Sequence, residues 1–190
     1  MAPDVSAATG LVMTDRLRPY QVTPTTYIAN HASNIRTTSH IVAAAIVVHS
    51  NRILLLQRAP HKFVPLTWEV PGGKCDPSDE TVVAAAIREL REESGLVARN
   101  VVDVVRAYQW IDAGEVWEKV TFLVEVERGS SNEGEEEPTV TLELFEHADF
   151  AWVSKVDAVA DRCGDIPLVW TSAEQKKAVL EAFEVVRAGA

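Results

Sequence analysis

The sequence predicts an α+β protein, an α/β/α sandwich, and three observations carry that reading. Apolar runs of strand length crowd the middle of the chain, from IVAAAIVVHS at 41–50 to FAWVS at 150–154. One segment of helical period, 80–94, interrupts them, and a second follows Thr171. At 190 residues and 47% hydrophobic, the chain is long enough for one well-packed domain and short for two.

The elements follow in order. Residues 1–37 mix Pro, Thr, Ser and Asn without a sustained period and read as an N-terminal arm with one short element, leaving 38–190 as the domain. The runs 41–50 and 53–59, split by Ser50-Asn51-Arg52, form a hairpin by pattern. TWEV at 67–70 is a short strand ending at Pro71-Gly72-Gly73, and a loop and the helix at 80–94 come next. Strands are expected at 101–110 and 116–127; in the second, Val116, Val120, Phe122, Val124 and Val126 share one face. RGSSNEGEEEP at 128–138 is a solvated acidic loop. Further strands are expected at 139–145 and 150–154. The last helix starts near Thr171-Ser172, where Ser172 and Gln175 match a capping box.

Composition excludes several classes. The formal charge of −10 argues against nucleic acid as a partner, because that binding needs a basic face to replace counterions. No run approaches the roughly 18 apolar residues of a membrane span. The N-terminus lacks the basic start and continuous apolar stretch of a secretory signal, so a cytoplasmic protein is expected. Cys75 and Cys163 are too few for a disulfide framework or a cysteine-based zinc site.

The helix at 80–94 raises a physical question. On a helix, Val83, Ala86, Ile87 and Leu90 fall in one arc, the side that packs on a sheet. Glu89, Glu92 and Glu93 fall in an adjacent arc and point into the same space. Like charges at i,i+4 oppose a helix by roughly 0.2–0.5 kcal/mol per pair. Carboxylates in the last turn also face the negative end of the dipole, at roughly 0.3–1 kcal/mol each. Gly95 fixes the stop, so the crowding is truly terminal. An exposed acidic face is the plain reading of such a cluster. A site for a hard divalent cation is the functional one, since oxygen ligands then gain what the repulsion costs. Gly72-Gly73 before the helix, where backbone can approach a ligand, and the cation Lys74 favour the second.

The segment resembles the Nudix box, G-x5-E-x7-R-E-U-x-E-E-x-G-U, with U a bulky aliphatic. Arg88-Glu89-Leu90-Arg91-Glu92-Glu93-Ser94-Gly95-Leu96 matches its second half at every fixed place, and the box spans 73–96. Trp68-Glu69-Val70-Pro71-Gly72-Gly73-Lys74 is similar to the lead-in of MutT-like members. The first half departs from the pattern: six residues separate Gly73 from Glu80 where the family has five. Glu80 keeps the spacing to Arg88, which puts the extra residue at 75–79; the alternative gives Asp79 the acidic place.

The resemblance implies a Nudix-type α/β/α sandwich with a mixed central sheet. It implies an enzyme, a pyrophosphohydrolase acting on a small-molecule nucleoside diphosphate linked to another group, with Mg²⁺ or Mn²⁺. Within it, Glu92 and Glu93 are expected as metal ligands, Glu89 as ligand or base, Gly73 as a further metal contact and Arg88 as the residue that orients the carboxylates. Arg58 and Lys74 are the expected substrate contacts, and Glu146, six residues before Trp152, a further metal ligand. Trp110 and Trp117 flank a turn and read first as packing residues, and His147 is given no role. A non-catalytic Nudix-fold module that senses a nucleotide is the competing reading; such proteins lose box glutamates, and this chain keeps all three.

Overall fold

Ser50 and Asn51 both hold positive φ, 47° and 57°, and so turn the chain through a two-residue hairpin of the primed kind. They join β1 (His40–His49) to β2 (Arg52–Arg58). The two strands pair only at Val48↔Ile53 and His49↔Arg52 and then part. The segment after β2 fills the gap. Its first piece, β3 (Trp68–Glu69), pairs with β2, and its second, β4 (Gly72–Lys74), pairs with β1 across 42–44. The glycine pair, expected to end a strand and lead into a loop, is therefore itself part of a strand lying where the sheet opens.

The remaining elements complete the layers in this computed structural model, which describes residues 15–31, 38–127 and 137–189. After a 3₁₀ turn at Arg18–Tyr20 come α1 (Pro24–His31) and, beyond β4, α2 (Val82–Ser94), β5 (Ala98–Asp112) and β6 (Glu115–Val126). Then follow β7 (His147–Ser154), α3 (Lys155–Ala160), β8 (Arg162–Cys163), β9 (Ile166–Pro167) and α4 (Ala173–Gly189). Seven strands form one mixed sheet in which β1 and β6 run parallel and the other pairs antiparallel. The fold is the α+β sandwich with a mixed central sheet.

Strand alternation sorts the core into two layers. Ala43, Ala45, Val47, Val120, Phe122 and Val124 face α2 with Val83, Ala86 and Leu90. Ala44, Ile46, Leu123 and Val153 face the other way, against Val179 and Ala182 of α4. The described part of the N-terminal arm joins the first layer: Leu17 and Tyr27 are buried there, and the Tyr27 hydroxyl donates to Glu118 at 2.8 Å.

Two expectations need correction. No strand forms over 139–145. Those residues strap the end of α2 instead, Thr141 N donating to Ser94 O at 2.8 Å and Glu143 N to Glu93 O at 3.2 Å. The unpaired carbonyls of a helix end compete well for such donors. The second concerns β7, which starts at His147 rather than 150 and leads directly into α3, capped by a reciprocal Ser154–Asp157 box. Most of the acidic loop at 128–138 lies outside the described residues. Among the described residues, no helix is long and apolar enough to cross a membrane.

Candidate active site

Helix α2 is pinned at both ends. The Thr81 side chain accepts from Ala84 N at 2.9 Å, and Gly95 takes a left-handed φ of 71° that closes the last turn through Arg91 O. With the apolar stripe buried against β1 and β6, the glutamates are aimed at the opening between β1 and β2.

Glu93 reaches furthest. It is buried, and its Oε2 accepts the Gly72 N–H at 2.8 Å. Glu89 lies over Gly73: a Cβ there would meet Glu89 Oε2 at 2.6 Å, so only glycine lets the carboxylate approach. Burial raises both carboxyls above the ordinary carboxylate range, Glu93 strongly, with the neighbouring carboxylates adding to the effect. Glu92 is the outermost of the three, and its Oε2 accepts from Arg88 at 3.0 Å. Arg88 also holds Glu89 Oε1 at 2.8 Å.

Arg88 has a stronger partner. Its Nε and Nη2 donate to the two oxygens of Asp79 at 2.8 and 2.9 Å, a bidentate pair. That pair holds the Asp79 carboxyl below the usual range despite its partial burial. Glu80 is exposed and takes no part. The extra residue therefore lies between Asp79 and the Thr81 cap, not at 75–79.

The outlying expectations separate. Glu146 pairs with Lys62 at 2.5 Å across two surface loops. Arg58 is tied to Glu69 and to Phe63 O at 2.9 Å. Lys74 is exposed, its Nζ 5.3 Å from the Trp117 ring centroid. Thus Glu89, Glu93, Gly73 and Arg88 come together with Glu92 at the rim. Among the described residues, no three His, Cys, Asp or Glu side chains converge as a ready metal cluster.

Behind Glu93 lies a polar group that periodicity did not flag. Glu69 is buried beside Arg58, with His147 Nε2 3.8 Å away. Burial alone would raise the Glu69 carboxyl, but His147, Lys119 and Arg58 bring it below the usual range. Lys119, also buried, feels Glu69 and Glu93 alike and donates to Gln175 Oε1 at 2.8 Å. A lysine within the apolar alternation VWEKVTFLVEV was the available signal.

Residues 39–166 match the NUDIX domain. The chain belongs to the Nudix family. It is 33% identical over 149 residues to the CTP pyrophosphohydrolase of Escherichia coli, covering 77% of this chain and 93% of that protein. A shorter stretch of 61 residues is 44% identical to the CMP-5'-(N-acetyl-N-hydroxy-3-aminopropyl)phosphonate hydrolase of Streptomyces rubellomurinus, 31% of this chain and 29% of that one. The solution structure of the Escherichia coli ORF135 protein superposes with a TM-score of 0.55 at 31% identity, over 79% of this chain and 91% of that one. The protein is a Nudix hydrolase, and Asp79 stands at the acidic place of its Nudix box.

Proposed function

We propose that this Nudix hydrolase cleaves the diphosphate linkage of a small cytidine nucleotide, converting CTP and water to CMP and pyrophosphate, with a divalent cation. The observation that carries the reading is the pair of buried carboxylates, Glu89 and Glu93, closed onto Gly72-Gly73. The base rests on the two similar proteins, both named for cytidine nucleotides.

The residues fit a hard cation. Their donors are carboxylate oxygens, two of them in carboxyls whose burial works against ionisation until a positive charge arrives. Glu89, Glu92, Glu93 and the Gly73 carbonyl would hold Mg²⁺ or Mn²⁺. When bound, the cation polarises phosphoryl oxygens and lowers the pKa of a coordinated water.

The chain's own groups do the rest. Gly72 N–H fixes Glu93, and Arg88, itself braced by Asp79, fixes Glu89 and Glu92. Glu89 would either join the groups that hold the cation or take the proton from the attacking water. Lys74 offers a cation for a phosphate. Arg58 acts through Glu69, because its guanidinium is already engaged there. The sensor reading is not favoured, since every box glutamate is retained. The test is a panel of CTP, UTP, ATP, GTP, ADP-ribose and dinucleoside polyphosphates with Mg²⁺. CTP hydrolysed fastest supports the reading, and a dinucleotide or ADP-ribose hydrolysed fastest overturns it.

A further inference from the structure

The sheet face beneath α4 carries buried donors that the scheme above leaves unused. Lys119 is 6% exposed, and among the described residues its ammonium makes one hydrogen bond, to Gln175 Oε1 at 2.8 Å. Gln175 is 1% exposed and has committed its oxygen there, which leaves its Nε2 without a partner among the described residues. Thr121, two residues along β6 on the same face, has an Oγ1 with no partner among the described residues, and Trp68 likewise has none at its Nε1. Trp68 belongs to this side of the sheet: its carbonyl accepts from Thr171 N at 3.1 Å, just ahead of α4.

Gln175 makes the arrangement pointed. Its backbone N–H takes the Ser172 cap at 3.0 Å, as the capping box predicts. Its side chain, which such a box would return to the cap backbone, is turned onto the sheet and Lys119 instead. Buried polar groups are ordinarily satisfied, so orphaned polar atoms along one face of the sheet mark a missing partner.

Aromatic rings lead outward from this cluster. Tyr108 stands opposite Lys119 in the β5–β6 ladder, and Trp110 opposite Trp117, with those two rings stacked at 5.9 Å. His40 continues the row at 4.3 Å from Trp117, and Lys74 lies over the same tryptophan. All four rings are half-buried. The row thus runs from the buried donors to the residue beside Gly72-Gly73.

Resting on the cytidine reading above, we propose that Lys119 and Gln175 are the specificity-determining pair that reads the base. They offer donors only: an ammonium and an amide NH₂ whose oxygen is taken. Cytosine presents two adjacent acceptors, N3 and O2, to such a pair. Uracil places an N3–H donor there, which would face a donor and leave both unpaired. Sites built on hydrogen bonds discriminate through that penalty. The Trp110–Trp117 face supplies a surface on which the ring can stack.

The experiment measures kcat/KM for CTP and UTP, and calorimetric binding of CMP and UMP without metal, for wild type, Lys119→Met, Gln175→Leu and Gln175→Glu. Melting curves confirm that each variant folds. Wild type is expected to prefer the cytidine member in both assays. Lys119→Met and Gln175→Leu should reduce the ratio at least about tenfold. Gln175→Glu, which puts an acceptor in the donor's place, should move the ratio toward uridine. Variants that fold, cleave CTP more slowly and keep the wild-type ratio overturn the proposal while leaving the cytidine reaction intact; the donors then serve an ordered water. Discrimination of CMP from UMP without CTP hydrolysis keeps the base pocket and removes the reaction. A wild type that treats the two bases alike overturns the pocket outright.

Discussion

Burial holds the Glu93 carboxyl well above its ordinary range, and the single Gly72 N–H offsets only part of that. In the unfolded chain a glutamate ionises near pH ~4.3, whereas the folded one stays protonated to higher pH. Between those limits the folded state binds more protons, so stability falls as pH rises through the window. Glu93→Gln removes the penalty. In chelator its melting temperature should exceed that of wild type near neutrality, and the gap should close below about pH 4. Turnover should fall roughly 10²-fold or more, as on loss of one transition-state-stabilising group. A gap that persists in acid would assign the gain to packing instead. Asp79 gives the opposite case, a buried carboxylate serving Arg88. Asp79→Asn should cost about 1–3 kcal/mol in urea unfolding, and Glu80→Gln nearly nothing. Equal costs would restore Glu80 to the box. The three glutamates were legible because helical spacing alone puts them on one arc. Asp79 was not, since counting residues leaves two registers and only the bidentate pair chooses between them. Lys119 and Gln175 stand 56 positions apart, and no local pattern joins them.

Strands are read well where the signal is long: β1 and β2 are unbroken apolar runs buried on both faces, and β6 shows alternation. Helix α3 and the β8–β9 hairpin went unread, being too short to show any period. The failed strand at 139–145 is instructive: Val140 and Leu142 are half-buried against the core layer that holds α2, while the backbone bonds the helix's last carbonyls. The helix itself supports a sharper test. Deleting Glu80 removes the extra residue ahead of the Thr81 cap, and the protein should stay folded and active. Deleting Ala85 turns the glutamate arc by about 100° against the apolar stripe, so both stability and activity should fall. The account is wrong about the insertion if the two deletions are equally damaging. The N-terminal segment offers a third element-scale case. Tyr27→Ala opens the layer beneath Tyr20 and Phe122 and should cost about 3–5 kcal/mol. Tyr27→Phe should cost about 1 kcal/mol, because Glu118 keeps Thr38 and Gln109 as donors. A negligible effect of Tyr27→Ala on thermal melting would make the segment an appendage.

At the scale of the molecule, a chain of net charge −10 places its buried acids where the sheet opens, an arrangement that repels an anionic substrate unless positive charge intervenes. Two short strands, one on each side of that opening, carry the glycine pair to the helix's acidic end. The central claim is that these carboxylates work through a divalent cation on a cytidine nucleotide. Initial rates of CTP hydrolysis, with the products resolved, test it most directly when taken in millimolar Mg²⁺, after exhaustive chelation, and after Mg²⁺ is restored. The account predicts CMP and pyrophosphate in Mg²⁺, no turnover in chelator, and full recovery on restoration. Hydrolysis that survives chelation at an undiminished rate would contradict it.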